Sequence, residues 1–358
     1  MHRRVALLSA AAVAVAGALV PAASAQASST TTGTTNGTTN GTTSGFDRNP
    51  VGWAGADSSS ERRTVLSYWT PQRMLAAQPL DTPRIRRSGG SGPTEGTPWA
   101  TRGASSTPTQ GRSYAVRPVS AQRTAEVLQN SPGLRWTDGG AVTRTVGRVF
   151  FTTADGRNSA CSGTAVTSAN ESVVMTAGHC VKLNGAAHRN WVFVPGFDNG
   201  RRPFGTWVAT TLLTTQQWNA NENINFDVAA AVVAPLQGRS LTDVVGGQGV
   251  AFNQPRRRQM FSFGYPAAAP FDGSRLIYCS GRAIDDTVQT RDLGLRCDMT
   301  GGSSGGPWFA GFNASTGQGW LNSVNSFKYD FAPNFMFGPF FGNEAMAVYR
   351  AAQNVGAQ

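Results

Sequence analysis

The sequence predicts an all-β protein of two small barrels followed by a C-terminal helix, and three observations carry that expectation. From about Val146 onward, short runs rich in Val, Phe, Thr and Trp are broken by Gly, Asn, Asp and Pro at intervals typical of antiparallel folds. The runs fall into two groups of about six, which suits two barrels better than one large sheet. Only the end of this region changes period: Met346, Tyr349, Ala352 and Val355 repeat at helical spacing behind Asn343, a residue able to cap a helix.

In chain order, residues 1–25 read as a secretory signal. His2, Arg3 and Arg4 precede an apolar run over 5–20, and Ala23-Ser24-Ala25 supplies a small-residue cleavage site. The run is shorter than the roughly 20 apolar residues that span a bilayer, so an anchor is the weaker reading. Residues 26–140 read as a low-complexity linker and pro-segment. Within them, 28–45 are Thr, Gly, Asn and Ser with a short repeat that cannot bury apolar surface. The stretch to 140 stays rich in Pro, Gly, Ser and Arg, with one helical candidate over 65–77, where Thr70 and Pro71 can cap a second short helix. Composition barely separates a pro-segment that assists folding or blocks a cleft from a linker with no such role. Residues 141–358 are the main domain. Its first strands are expected at 147–153, 159–168, 172–177, 191–195, 206–213 and 224–233. The second series is expected at 247–252, 260–264, 275–282, 294–298, 308–312 and 320–327.

The formal charge of +11 raises the question of nucleic acid. Residues 1–140 hold 14 Lys and Arg against 7 Asp and Glu, whereas 141–358 hold 17 against 13. The main domain is thus only mildly basic, its cations scattered apart from Arg256-Arg257-Arg258, and no basic groove lined with aromatics is evident. We therefore expect no nucleic-acid partner, and no membrane association once the signal is removed. Four cysteines in an exported chain, Cys161, Cys180, Cys279 and Cys297, lack close C-x-x-C spacing and read as two disulfides. Three pairings are possible. The favoured one, 161 with 180 and 279 with 297, closes loops of about 18 residues, each worth about 3 kcal/mol. Too few histidines and thiols remain for a metal site, and no cofactor is expected.

The stretch from Cys297 to Pro307 has the form of a nucleophile loop. Glycines on both sides of Ser304 allow turns that a Cβ resists and let a substrate approach main-chain N–H groups. A serine hydroxyl needs a base, and histidine has a suitable intrinsic pKa. Of three histidines, His2 leaves with the signal, and His188 sits in a Gly/Ala/Asn run expected to be an exposed loop. His179, beside Cys180 and just after a strand, is the candidate. An orienting acid is usually buried, and Asp227 stands in an apolar run, whereas Asp198, Asp243 and Asp272 stand in polar, turn-like contexts.

TAGHC at 176–180, FDVAAAVV at 226–233 and GGSSGGP at 301–307, in the order His, Asp, Ser, resemble the chymotrypsin-like (trypsin-like) serine proteases. Within these, the resemblance is to the secreted bacterial and fungal branch related to glutamyl endopeptidases, and it covers about residues 146–355. It implies two six-stranded antiparallel barrels with the active site between them, protein or peptide substrates, and a monomer. It also implies peptide-bond hydrolysis through an acyl-enzyme, with Ser304 as nucleophile, His179 as base, Asp227 as orienting acid, and an oxyanion hole from the N–H groups of Gly302 and Ser304. One residue departs from the family pattern: Ser303 stands where vertebrate-type trypsins carry the aspartate that pairs with the new N-terminus. For specificity, Asp298 lies six residues before Ser304, the position of the acid that binds Lys or Arg in trypsin-like relatives, and Asn325 is a second pocket candidate. Glutamate-preferring relatives carry a histidine on the strand after the nucleophile, and residues 323–326 have none, which leans toward basic or unspecialised preference over glutamyl. The rival readings are a catalytically inactive barrel that binds a partner, and an esterase, whose triad order would be Ser, Asp, His.

Overall fold

The computed structural model describes residues 49–80, 83, 92–106 and 130–357, so the expected signal and the 28–45 linker lie outside the described residues. Before residue 140 come β1 (Val51–Ala54), α1 (Ser59–Tyr68), α2 (Pro71–Ala76), β2 (Gln78–Pro79), β3 (Trp99–Thr101) and β4 (Ser131–Arg135). The helical signal over 65–77 resolves into two helices. Ser58 and Glu61 form a reciprocal capping box that starts α1 earlier than expected. Thr70 Oγ1 accepts the Arg73 N–H at 3.2 Å, with Pro71 at the first helical position, so α2 restarts after a break at Trp69.

The first barrel follows: α3 (Val142–Thr145), β5 (Val146–Thr152), β6 (Asn158–Val166), β7 (Val173–Thr176), a small hairpin of β8 (Lys182–Leu183) and β9 (Ala186–Ala187), β10 (Arg189–Pro195), β11 (Trp207–Thr214), α4 (Gln216–Asn221) and β12 (Ala229–Val233). Its strand order is β11-β10-β5-β6-β7-β12, and β12 pairs back onto β11 to close six antiparallel strands. Residues 224–226, expected in a strand, form a 3-10 turn before β12 because the Asn223 side chain accepts the Asn225 N–H. β5 and β12 are buried along their whole length. One face fills the barrel; α6 packs on β12, where Ala229, Ala230 and Ala231 leave room for a helix.

The second half comprises α5 (Leu241–Val245), β13 (Gly249–Phe252), β14 (Gln259–Gly264), β15 (Ile277–Arg282), β16 (Ile284–Asp285), β17 (Leu293–Arg296), β18 (Pro307–Asn313), β19 (Gln318–Val324), β20 (Phe335–Gly338) and α6 (Asn343–Gln353). A seven-stranded sheet, β3-β13-β19-β18-β14-β15-β4, is joined by a three-stranded sheet, β16-β17-β20, and Met260, Leu293, Leu295, Trp308 and Met336 form a core there. The short β13–β19 pairing is parallel, a departure from the all-antiparallel expectation. The C-terminal helix is present, but Gly342 is its N-cap; the Asn343 carboxamide instead bonds Asn253 and the 94–95 stretch.

Described parts of residues 49–106 pack on both halves. β1 extends the β11 edge, and β3 extends the β13 edge. Trp69, 1% exposed, donates its indole N–H to the Asn190 carbonyl, and the Tyr68 hydroxyl donates to Asn158 Oδ1 at 2.7 Å. β2 runs parallel to β6, and the Leu80 N–H donates to the Ala160 carbonyl at 3.1 Å.

Candidate active site

His179 lies in a 3-10 turn directly after β7, and Asp227 follows the turn that precedes β12. Because β7 and β12 are paired neighbours, with Thr176 opposite Ala229, the two turns emerge side by side from the same end of the barrel. The contact between them is double. Asp227 Oδ1 accepts the His179 main-chain N–H at 2.7 Å, and Oδ2 lies 2.7 Å from His179 Nδ1. Both side chains are fully buried. A buried carboxylate needs several donors, and a third comes from Ser326, whose hydroxyl donates to Asp227 Oδ2 at 2.5 Å. Asp292 is buried nearby, and neither of its carboxylate oxygens has a hydrogen-bond partner among the described residues. Burial foremost, then the charges of Asp227 and Asp286, hold its carboxyl well above the usual range and favour its neutral form.

With Nδ1 committed to the carboxylate, His179 Nε2 is left buried and without a hydrogen-bond partner among the described residues. An imidazole held this way carries its proton on Nδ1 and offers Nε2 as an acceptor. Cys161 on β6 is bonded to Cys180, which fixes the turn holding His179 to the strand that also meets Ser304. Those two sulfurs and His179 lie close together, but the sulfurs are bonded to each other and offer no thiolate to a metal.

Ser304, 2% exposed, is placed by β6: its carbonyl accepts the Ser162 N–H at 2.7 Å. Gly305 takes φ +76°, and a Cβ there would stand 2.0 Å from Thr176 Oγ1, so this position admits only glycine. Within the loop, the N–H of Ser303 donates to Thr300 O, that of Gly305 to Asn325 O and that of Gly306 to Ser303 O, whereas those of Gly302 and Ser304 have no main-chain acceptor among the described residues. The Gly301 carbonyl accepts the Ala267 N–H at 2.7 Å, and a trans peptide points its N–H opposite to its C=O. The Gly302 N–H is therefore turned away from Ala267. Ser162 steadies the next peptide, donating to the Gly302 carbonyl while accepting the Tyr265 N–H, each at 2.9 Å. Ser303, in the position of the activation aspartate, is buried and donates to Thr300 O at 2.7 Å.

Two expectations need correction. His188 is not in an exposed loop: it stacks on Phe151 with centroids 4.2 Å apart, and its Nε2 bonds the His179 carbonyl at 3.0 Å. Burial pushes its pKa down to about 4. Asn325 is not presented to a pocket. It is fully buried; its Oδ1 accepts from Ser262 and Trp308, and its Nδ2 donates to the Phe263 and Ser303 carbonyls, leaving nothing for a substrate. Asp298 is half-buried, and burial raises its pKa. No sequence signal marks Ser162 or Ser326, because the role of each serine is decided by which strands and loops meet around it. The second disulfide joins Cys279 to Cys297, so both favoured pairings are formed.

No family model and no curated protein matches the sequence. Among solved structures, the protease Anisep from Arthrobacter nicotinovorans is 45% identical, with 59% of this chain and 96% of that one covered and a TM-score of 0.56. A thermostable serine protease, AL20, from an extremophilic microorganism is 43% identical, with 60% and 99% covered and a TM-score of 0.57. Identity at this level over nearly all of both proteases, together with a closed six-stranded barrel and a second β-half, places the chain by descent as well as by shape: it belongs to the chymotrypsin-like serine proteases.

Proposed function

We propose that this protease is a secreted endopeptidase in which Ser304 attacks the peptide carbonyl, His179 takes its proton at Nε2 and returns it to the leaving amine, and Asp227 holds the imidazole. The acyl-enzyme so formed is then hydrolysed by water, activated by the same base. The observation that carries the reading is the two-point bond from Asp227 to His179 in a buried setting, which leaves Nε2 free to accept. The Gly302 and Ser304 N–H groups form the oxyanion hole, a role supported by their lack of main-chain acceptors among the described residues. Secretion is supported by the signal-like residues 1–25 and by two disulfides. A fluorophosphonate probe followed by peptide mapping tests the assignment. Label on Ser304, lost in His179→Ala, is expected; label elsewhere, or undiminished label in the variant, would reject it.

Residues 26–140 act as a pro-segment that obstructs the cleft until removed. The support lies in β6, which bonds Leu80 through Ala160 and Ser304 through Ser162, only two residues apart. The Leu80 carbonyl lies 3.2 Å from where a Cβ on Gly301 would stand. Because β2 runs parallel to β6, this contact is formed by a strand laid in one fixed direction beside the nucleophile loop.

A further inference from the structure

Residues 49–80 and 92–106 both precede the main domain, but they bind different halves of it. The first stretch lies on β6, β10 and β11 and reaches the nucleophile loop at Leu80. The second forms a strap on the other half: Trp99–Thr101 pairs with β13, and Ala104 and Gly247 exchange N–H to carbonyl bonds at 2.8 and 2.9 Å. Among the described residues no main-chain hydrogen bond joins the two stretches, and none joins 92–106 to residues 297–307.

Both faces of the strap contact are shaped for each other. Glu344, 4% exposed in the first turn of α6, gives one carboxylate oxygen to the Thr94 N–H at 3.0 Å and the other to the Thr94 hydroxyl at 2.7 Å. The Asn343 N–H returns a bond to the Thr94 carbonyl at 2.9 Å. Further along, the Trp99 ring lies against those of Phe252 and Tyr349, each with its centroid 5.9 Å away. The backbones approach more closely than a Cβ allows: one on Gly249 would stand 2.6 Å from the Thr101 carbonyl oxygen, and one on Gly103 of the strap 2.7 Å from that of Gly247. Without the strap, β13 becomes a bare sheet edge, and the Glu344 carboxylate loses two donors that a buried charge needs. We propose that residues 92–106 dock on the second half by strand addition and stay there as a bound peptide in the processed protease, so that departure of 49–80 clears the nucleophile loop while the strap remains. The inference rests on the pro-segment reading above and assigns the obstruction to 49–80.

The test reads binding apart from catalysis. Recognition sequences for an unrelated, highly specific protease are inserted within 81–91 and 107–129 of the Ser304→Ala chain, and both are cut. Gel filtration, then denaturing mass spectrometry of the domain peak, is expected to find the strap in amounts equal to the domain. Thr94→Val together with Trp99→Ala removes the hydroxyl bonded to Glu344 and the ring on Phe252, and is expected to lower retention by about tenfold or more. The secreted wild-type enzyme, labelled with a fluorophosphonate and gel-filtered, is expected to carry a peptide containing 94–104. Failure of the catalytic assignment shows as absence of label and leaves the Ser304→Ala result to decide the inference. Loss of the strap from the cut Ser304→Ala domain, undiminished retention in the double variant, or labelled enzyme free of the strap would overturn it.

Discussion

Asp227 receives three donors, and each answers a different need. The His179 N–H and Nδ1 fix the ring, while Ser326 satisfies a buried oxygen that would otherwise lack part of its solvation. Asp227→Asn is expected to lower kcat by about four orders of magnitude, since an amide can donate to Nδ1 and move the ring proton to Nε2. Ser326→Ala keeps the tautomer and is expected to cost about tenfold in kcat with little change in KM; peptide hydrolysis by the two variants separates the effects. His188 makes one contribution to the pH dependence of stability, opposed by Asp292, whose raised carboxyl pKa favours the folded state as pH falls. The His188 pKa falls from 6.5 unfolded to about 4 folded because it is buried. Above pH 6.5 both states are neutral, and between 6.5 and 4 the unfolded chain binds a proton that the folded one resists, so this contribution to stability falls as pH falls. The loss amounts to on the order of 3 kcal/mol. Between pH 6.5 and 4, urea unfolding of Ser304→Ala, chosen to prevent autolysis, is expected to lose more stability than the same protein carrying His188→Gln as well.

At the scale of elements, the nucleophile loop depends on its strands. β6 supplies Ser162 for the Ser304 carbonyl, and β7 supplies Thr176, whose hydroxyl occupies the space beside Gly305. Gly305→Ala combines a left-handed backbone with a contact too short to exist, and is expected to destabilise by on the order of 3 kcal/mol and to abolish hydrolysis. Urea melts in the Ser304→Ala background measure the first part, and wild-type-like unfolding would count against the close packing of Gly305 on Thr176. The strands themselves were legible from sequence to within a few residues, because β-branched and aromatic runs between turn formers follow directly from the demands of a buried sheet. β20 was not anticipated: Phe335–Gly338 is short and lies among turn-forming residues, and it becomes a strand by pairing with β17. The cap of α6 was misplaced for a similar reason, since Asn343 finds partners across the molecule instead of in its own first turn.

For the whole molecule, the described parts of residues 49–106 are bound to both halves of the protease and reach the nucleophile loop at Leu80. Intact and processed chains separate on a gel, so fluorophosphonate labelling of each band reads access to the serine. The intact band is expected to label about tenfold or more slowly, and Leu80→Asp, which places a charge where a buried leucine packs, to narrow the difference; equal rates for the intact and processed bands would argue against obstruction. The sequence by itself determined the all-β class, the expectation of two disulfides and the choice of His179, Asp227 and Ser304 as candidates, while the structure decided among the three possible pairings. Those sequence readings follow from local composition, scarcity of histidine and the order of motifs. Tertiary structure decided that Ser162 bonds the nucleophile loop and Ser326 bonds Asp227, that His188 is buried, that Asn325 is consumed by the core, and that Lys328 ties the Cys297 carbonyl. These depend on strand register and loop closure, which bring together residues far apart in the chain whose own side chains carry no mark of the partners they will meet.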